Sequence, residues 1–322
     1  MATLTDDTLV TAPHAIRDEM IAFGIMTVLL LIVPFTGIYP FFVMQALCFA
    51  LLACAFNLLI GYGGLLSFGH AMFLGTAGYV SAHALKVWGV SPELGILAGT
   101  AAAAGLAVIT GLVAIRRQGI YFAMITLALS QLLYFIYLQT PFTHGEDGIQ
   151  GVPQGYLFGF LNIANPMVLY YVVTAGFLLG FLLIFRTINS PFGEVLKSIR
   201  ENEQRAISLG YKTDHYKLLA FILSGTLGGL AGALKVFVAQ NASLTDVHWT
   251  MSGEIVLMTL VGGLGTIFGP VVGAFVIIAM EQYLAGFGQW VTVIQGVIFV
   301  ICVLAFRRGI IGEIAHFFRR SL

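Results

Sequence analysis

Apolar residues run along this chain in long unbroken blocks, with polar residues gathered between them. The blocks fall at about 20–39, 41–60, 63–84, 92–115, 119–139, 166–185, 218–240, 254–265, 269–284 and 287–305. A helix rises about 1.5 Å per residue and a bilayer's hydrocarbon is about 30 Å thick, so a crossing takes roughly 20 apolar residues. The pattern therefore predicts an all-α, polytopic integral membrane protein of about ten transmembrane segments, some of them short or broken. The eighth and ninth blocks are short and read either as two crossings or as one hairpin that returns to its own side. The third is rich in Gly and Ser and reads either as a crossing or as a broken, re-entrant segment.

Composition agrees. The 322 residues are 59% hydrophobic and 9% charged, with mean hydropathy +0.95. A soluble globular chain is about 25% charged, and one core of this length could not hide so much apolar surface. Small residues let membrane helices approach closely, which suits the 38 glycines. A formal net charge of +0 gives no reason to expect a nucleic-acid partner. Cys48, Cys54 and Cys302 lie in apolar runs without a CxxC pair, so neither a zinc site nor a disulfide framework is expected. Residues 1–19 are polar and carry Asp6, Asp7, Asp18 and Glu19, unlike the basic start of a cleavable leader. The first span is expected to remain as an uncleaved insertion signal.

Charge orients the spans, because Lys and Arg collect in cytoplasmic loops. Arg116 and Arg117 fall between spans four and five. Arg186, Lys197, Arg200, Arg205, Lys212 and Lys217 fall between six and seven, and Arg307, Arg308, Arg319 and Arg320 follow the last. The 140–165 and 241–253 loops hold no Lys or Arg. An even number of crossings separates each basic cluster from the next, so one topology places all three inside. The expected organisation is a 1–19 tail, cytoplasmic if there are ten crossings, a membrane domain over 20–306 and a basic cytoplasmic tail over 307–322.

Two loops stand out. The 140–165 loop is rich in turn formers, is expected outside, and presents Glu146 and Asp147. The 186–217 loop is expected inside and is the most charged stretch of the chain. Within it, Ser190 and Pro191 form a helix start, apolar residues from Phe192 to Ile207 recur at helical spacing, and Gly210 follows Leu209 where a helix would end. Glu201 and Arg205 are spaced as an i, i+4 pair. Such an amphipathic helix either docks into a groove on a soluble partner or lies on lipid headgroups; periodicity does not choose between them.

The chemistry that is missing narrows the function. No Gly-x-x-x-x-Gly-Lys-Ser/Thr phosphate loop occurs, so ATP is not expected to bind this chain that way. No His-Glu-x-x-His helix or Gly-x-Ser-x-Gly elbow suggests an enzyme, and no metal site is expected. Ionisable groups deep in a membrane are the default markers of ion coupling. Here Glu254 and Glu281 fall near span ends, while Lys86, Glu93 and Lys235 fall at or near the outer face. His70 and His83 are the exceptions. His83 reads as interfacial. His70 follows Gly63, Gly64, Ser67, Phe68 and Gly69, where a broken helix would bare polar backbone to a pathway; it also reads as a neutral histidine bonded to a neighbouring helix. The 63–69 run has an echo in Gly262, Gly263, Leu264, Gly265, Thr266, Ile267, Phe268 and Gly269. The echo fits either an internal repeat or a chance recurrence of common membrane residues.

Several separated stretches together resemble one family. Phe56-Asn57-Leu58-Leu59-Ile60-Gly61-Tyr62-Gly63-Gly64-Leu65-Leu66-Ser67-Phe68-Gly69-His70-Ala71 is similar to the signature of permeases of branched-chain amino acid ABC importers. His144 to Pro153 resembles the Gly/Asp-rich external loop of their LivM-type subunit, as do Ser190-Pro191-Phe192-Gly193, Ile199 to Glu203, and Gly262 to Thr266 before Gly269-Pro270. The resemblance runs from about residue 40 to 312. It implies a multi-pass protein of the bacterial inner membrane, paired with a LivH-type second permease. Two ATP-binding subunits would carry ATP and Mg on the cytoplasmic side, and a periplasmic solute-binding protein would deliver an amino acid. No cofactor is implied on this chain itself. The coupling residues would then be Val195, Ile199, Glu201, Arg205, Ala206 and Gly210. The translocation path would follow Gly63, Gly64, Ser67, Phe68, Gly69, His70, Gly262, Gly263, Gly265 and Thr266. The alternative is an ion-coupled secondary transporter or channel acting alone.

Overall fold

The computed structural model describes residues 12–37, 39–284, 286, 288, 290–305 and 309–317. Among them the chain forms α1 (Ala12–Ile32), α2 (Pro40–Asn57), α3 (His70–Lys86), α4 (Pro92–Ala114), α5 (Ile120–Gln139) and α6 (Pro166–Ile188). Next come α7 (Pro191–Glu201), α8 (Glu203–Ser208), α9 (Thr213–Ala239), α10 (Trp249–Gly262), α11 (Gly269–Leu284), α12 (Trp290–Ala305) and α13 (Gly309–Phe317). Four two-residue strands, β1 (Ile149–Gln150), β2 (Tyr156–Leu157), β3 (Leu161–Asn162) and β4 (Asn241–Ala242), lie in the loops. All ten predicted blocks contain a helix. The third is shorter than predicted, because residues 63–69 are irregular and its helix starts at His70.

Helix α2 is the centre of the molecule. Pro40 opens it at a position where a missing N–H costs nothing, and from Ala46 to Asn57 every residue is buried. It continues through a π-turn, Leu58–Tyr62. Around it pack α6, α9, α10 and α11, with α3 and α4 completing the layer beside α9. Small residues set the closest contacts, as expected where helices meet without water to drive them. On α9, Gly225 and Gly229 face Ala107 and Ala103 of α4, and Gly232 lies against the Leu74 carbonyl of α3. The outward faces of α4 and α5 expose Leu97, Ile109, Leu132 and Phe135, a surface suited to lipid.

The helices run between two ends. Asn189, just past α6, donates to Glu19 near the start of α1, whereas Tyr170 near the start of α6 donates to the Leu30 carbonyl at 2.7 Å, so the two are antiparallel. One end carries α7 and α8 and is basic. At the other, the 140–165 loop is tied to the 240–248 loop by antiparallel β1–β4 pairing and to α3 by Lys86, which donates to the Gln150 carbonyl at 2.6 Å. Helix α10 starts inside the bundle, where Ser252 accepts from the Ala71 N–H at 3.1 Å, and reaches the basic end, where Gly262 and Gly263 lie against the backbone of Gly309; α11 returns. Blocks eight and nine are thus two short antiparallel helices, of 14 and 16 residues. Five helical segments, 40–62, 92–114, 120–139, 166–188 and 213–239, are long and apolar enough to cross a membrane, with shorter apolar helices at 19–35, 249–262 and 269–284. Arg307, Arg308, Arg319 and Arg320 lie outside the described residues; between them α13 packs on α10 and α11.

Candidate coupling end and glycine-broken segments

At the basic end the predicted single helix is two. Helix α7 begins after Ser190, with Pro191 in its first turn. The Ser190 hydroxyl does not cap it but donates back to the Thr187 carbonyl at 2.7 Å. Gly193, Leu196 and Ile199 are buried beneath α7, Val195 is half-buried, and Phe192 stacks on Tyr216 of α9 with centroids 5.6 Å apart. Asn202 then breaks the helix with extended backbone (φ −156°, ψ 96°), and its side-chain oxygen caps α8 by accepting from the Arg205 N–H at 3.0 Å. Asparagine competes with helix backbone in this way, and sequence periodicity alone did not reveal the break.

The break separates Glu201 from Arg205, so the expected i, i+4 pair is not formed. Lys217, 3% exposed, instead pairs with Glu203 at 2.5 Å, pinning α8 to α9. Ala206 is buried against this support, while Glu201, Arg205 and Gly210 are exposed. Gly210 has φ +91°, where an L side chain is strained. Beside them Ile207, Leu209 and Tyr211 project outward at 49%, 70% and 40% exposure. Apolar and charged side chains are thus exposed side by side at the tip of this loop.

The two glycine-broken segments meet directly above α7. After the π-turn, the Gly63 and Leu65 N–H groups both donate to the Leu59 carbonyl, and Gly64 adopts φ +67°. Asn57 binds the second segment through both ends of its amide: Nδ2 donates to the Thr266 carbonyl at 2.8 Å and Oδ1 accepts from the Gly265 N–H at 3.0 Å. Arg200 reaches up from α7 and donates to the Gly61 carbonyl. A Cβ on Gly64 would come within 2.9 Å of the Arg200 side chain, so the missing side chain makes the passage for it. Tyr62, Lys197, Arg200, Glu201 and Gly265 line a cavity of about 200 Å³ at this junction. Gly262, Gly263, Gly265 and Thr266 thus gather with Gly63 and Gly64 at the basic end. Sequence reading had not singled out Asn57 or Arg200. A lone amide in an apolar run was the available signal for Asn57.

Beyond Gly64 the first segment turns inward. Ser67 is fully buried and accepts from the Gly69 N–H, and the Phe68 N–H donates to Thr126 of α5 at 3.2 Å. His70 has no exposed surface. Its Nε2 lies 2.7 Å from the Ser224 hydroxyl, which donates to the Ala55 carbonyl at 2.5 Å, and the rings of Phe56, Phe73 and Phe221 surround it. His70 is therefore a bolt between α2, α3 and α9 inside the protein, and does not face an open channel. His83 stacks on Phe142 of the loop end at 4.1 Å.

At the loop end Glu146 and Asp147 are exposed on a 3-10 turn, and the neighbouring Gly148 packs on the Ala242 carbonyl. Lys235 lies under these loops, 14% exposed, paired with Asp246 and 5.5 Å above the Phe49 ring. The neutralising partner that makes this burial tolerable comes from the loop that follows α9, eleven residues on.

A bundle of antiparallel apolar helices interrupted by glycine-broken segments is the build of a multi-pass membrane protein. The family described as "Branched-chain amino acid transport system / permease component" matches residues 38–305, and the chain belongs to it. The chain is 25% identical to the high-affinity branched-chain amino acid transport permease LivM of Escherichia coli, over 82% of this chain and 67% of the relative. It is 32% identical to the probable branched-chain amino acid transport permease LivH of Methanocaldococcus jannaschii, over 48% of this chain and 50% of the relative. It is also 29% identical to the ribose import permease RbsC of Bacillus subtilis, over half of each chain. No solved structure matches significantly.

Proposed function

We propose that this chain is one of two permeases in an ATP-driven importer of the bacterial inner membrane, carrying a branched-chain or related amino acid. Its partners in this reading are a LivH-type permease, two ATPase subunits holding ATP and Mg, and a periplasmic binding protein that docks on the loop bearing Glu146 and Asp147. The chain itself does no chemistry. The observation that carries the reading is the α7–α8 knob: α8 presents Ile207 and Leu209 to solvent, while the Glu203–Lys217 pair and the apolar underside of α7 hold it rigidly to the membrane helices. Val195, Ile199 and Ala206 support the knob from below, and Glu201, Arg205 and Gly210 lie at its surface. ATP-driven movement of the partners would push here, and solute would pass beside Gly63, Gly64, Gly262, Gly263, Gly265 and Thr266 at the interface with the second permease, with His70 packed behind them.

The test is co-purification in mild detergent with the native neighbours. The expected result is a second permease and two ATPase subunits, with ATP hydrolysis stimulated by a binding protein. Arg205→Glu reverses the charge at the knob, and Gly210→Pro is incompatible with φ +91°. Each is expected to lower that stimulation at least about fivefold, the effect of roughly 1 kcal/mol at an interface, with membrane insertion unchanged. Normal stimulation in both variants sinks the assignment. Transport by the purified chain alone down an ion gradient would favour a secondary transporter instead.

A further inference from the structure

Asn57 binds the second glycine-broken segment, and Arg200 binds the π-turn that leads into the first. Asn57, on the central helix, grips the backbone of Gly265 and Thr266. Arg200, on α7, grips the Gly61 carbonyl one turn below Asn57 and lies beside Gly64. A glycine at positive φ lies beside each grip, Gly64 at +67° and Gly265 at +76°, where backbone is reset at small steric cost. Apolar contacts between α7 and the bundle resist sliding weakly, whereas a guanidinium bonded to a carbonyl is directional.

We propose that Arg200 and Asn57 form a latch that transmits displacement of α7 to both glycine-broken segments at once. Arg200 is the positioning residue on the α7 side and Asn57 its counterpart on α2. The cavity beside Arg200 gives the latch a second position. Tyr62, Lys197, Glu201 and Gly265 line the same 200 Å³ space, which gives a guanidinium leaving the Gly61 carbonyl room to move. Arg200 on Gly61 is one state, and Arg200 released into this space is the other. A discrete release of this kind turns a small movement of a surface helix into a two-state change.

The proposal rests on the reading of α7 and α8 as the ATPase-facing knob, and the experiment separates the two. In the full assembly, Leu264→Cys places a thiol on the exposed tip of the second segment. Its maleimide labelling rate is compared without nucleotide and after vanadate trapping. The expected change is about tenfold in an otherwise unaltered chain, the factor one charge-assisted hydrogen bond supplies. Arg200→Ala or Asn57→Ala is expected to reduce it below roughly twofold, and Arg200→Lys to restore part of it. Basal ATP hydrolysis and subunit stoichiometry are expected to stay unchanged. The two Ala changes combined should be non-additive, as for residues on one pathway. Gly64→Ala, which displaces the Arg200 side chain while keeping its charge, covers the case in which Arg200→Ala does not assemble. A separate Leu209→Cys thiol reports the knob: labelling that is equal with and without ATPase subunits overturns the coupling reading. With Leu209→Cys protected, a trapping response at position 264 that is absent, or equal in the Arg200→Ala and unaltered chains, overturns the latch.

Discussion

The segments at 63–69 and 263–268 are written in nearly the same residues, and each joins a helix reaching the basic end to one that returns. They are built for different things. The first starts bonded to the π-turn through Gly63, Gly64 and Leu65 and then descends into the interior, where it is tied to α5 through Thr126 and delivers His70 to Ser224 of α9. The second stays at the basic end and is pressed between backbones: a Cβ on Gly262 would strike the Gly269 carbonyl, and one on Gly273 the Met258 carbonyl. In the first segment glycine lets the chain turn and leave. In the second it lets α10 and α11 touch. The shared spelling therefore reports shared flexibility and small size, while the surroundings decide which property is used.

The sharpest way to break this comparison is to add one methyl group to each segment. Gly262→Ala forces two backbones apart and is expected to cost about 3 kcal/mol or more, beyond the usual range for overpacking because no flexible side chain can yield. Gly69→Ala meets the Thr126 carbonyl at 2.8 Å and the movable end of Met72 at 3.2 Å, so a cost of about 1–2 kcal/mol is expected. Gly253→Ala has nothing within 4 Å and is expected to be neutral or slightly stabilising. Thermal unfolding of the purified chain in detergent ranks the three. Equal shifts for Gly262→Ala and Gly69→Ala would erase the distinction between a packed segment and a turning one.

His70 sharpens the comparison from the other side. His70→Ala removes a ring enclosed by three aromatic residues and leaves a cavity at the junction of α2, α3 and α9, an expected loss of about 2–3 kcal/mol. Ser224→Ala removes the hydroxyl it meets at 2.7 Å, for about 1 kcal/mol. Both losses should appear in unfolding temperature, and solute uptake should fall only as far as the amount of folded assembly falls. Uptake lost with unfolding temperature intact would make His70 part of the solute's path in another conformation.

Much of the fold was legible because the bilayer imposes it. Every block of roughly 20 apolar residues became a helix, and the clusters at Arg116–Arg117 and Arg186–Lys217 mark helix ends that the 140–165 loop does not share. The boundary of α3 was not legible. Residues 63–69 are as apolar as a helix, and only the bonds of Leu65 to the Leu59 carbonyl and of Phe68 to Thr126 show why they depart from one. The break at Asn202 was hidden for the opposite reason. The apolar spacing continues across it from Ile199 to Ala206, and a side chain capping its own neighbour leaves no mark on periodicity. The site was half legible. Glycines announced the segments, but the groups that join them, Asn57 and Arg200, act across more than a hundred residues of sequence. Lys235 likewise read as a residue near the outer face; its burial against Phe49 depends on Asp246 folding back over it.

The loop end offers the mildest test. Glu146 and Asp147 are exposed, form no ion pair among the described residues, and sit on a turn fixed from behind by β1–β4 pairing and by Lys86. Neutralising both, Glu146→Gln with Asp147→Asn, keeps the turn's shape, so unfolding should move by no more than about 0.5 kcal/mol. If a binding protein is steered to this end by charge, its association should slow by a few-fold, and the dependence of association on ionic strength should flatten, while dissociation changes little. Association rates measured at two salt concentrations with the purified assembly separate this from a loss of contact, which would raise the dissociation rate at both. A loop whose neutralisation alters neither rate would leave the rigid β1–β4 platform itself as the docking feature, recognised by shape. The two ends of the molecule would then differ in kind, with an apolar, charge-flanked knob at α8 and a shaped, electrostatically silent platform opposite.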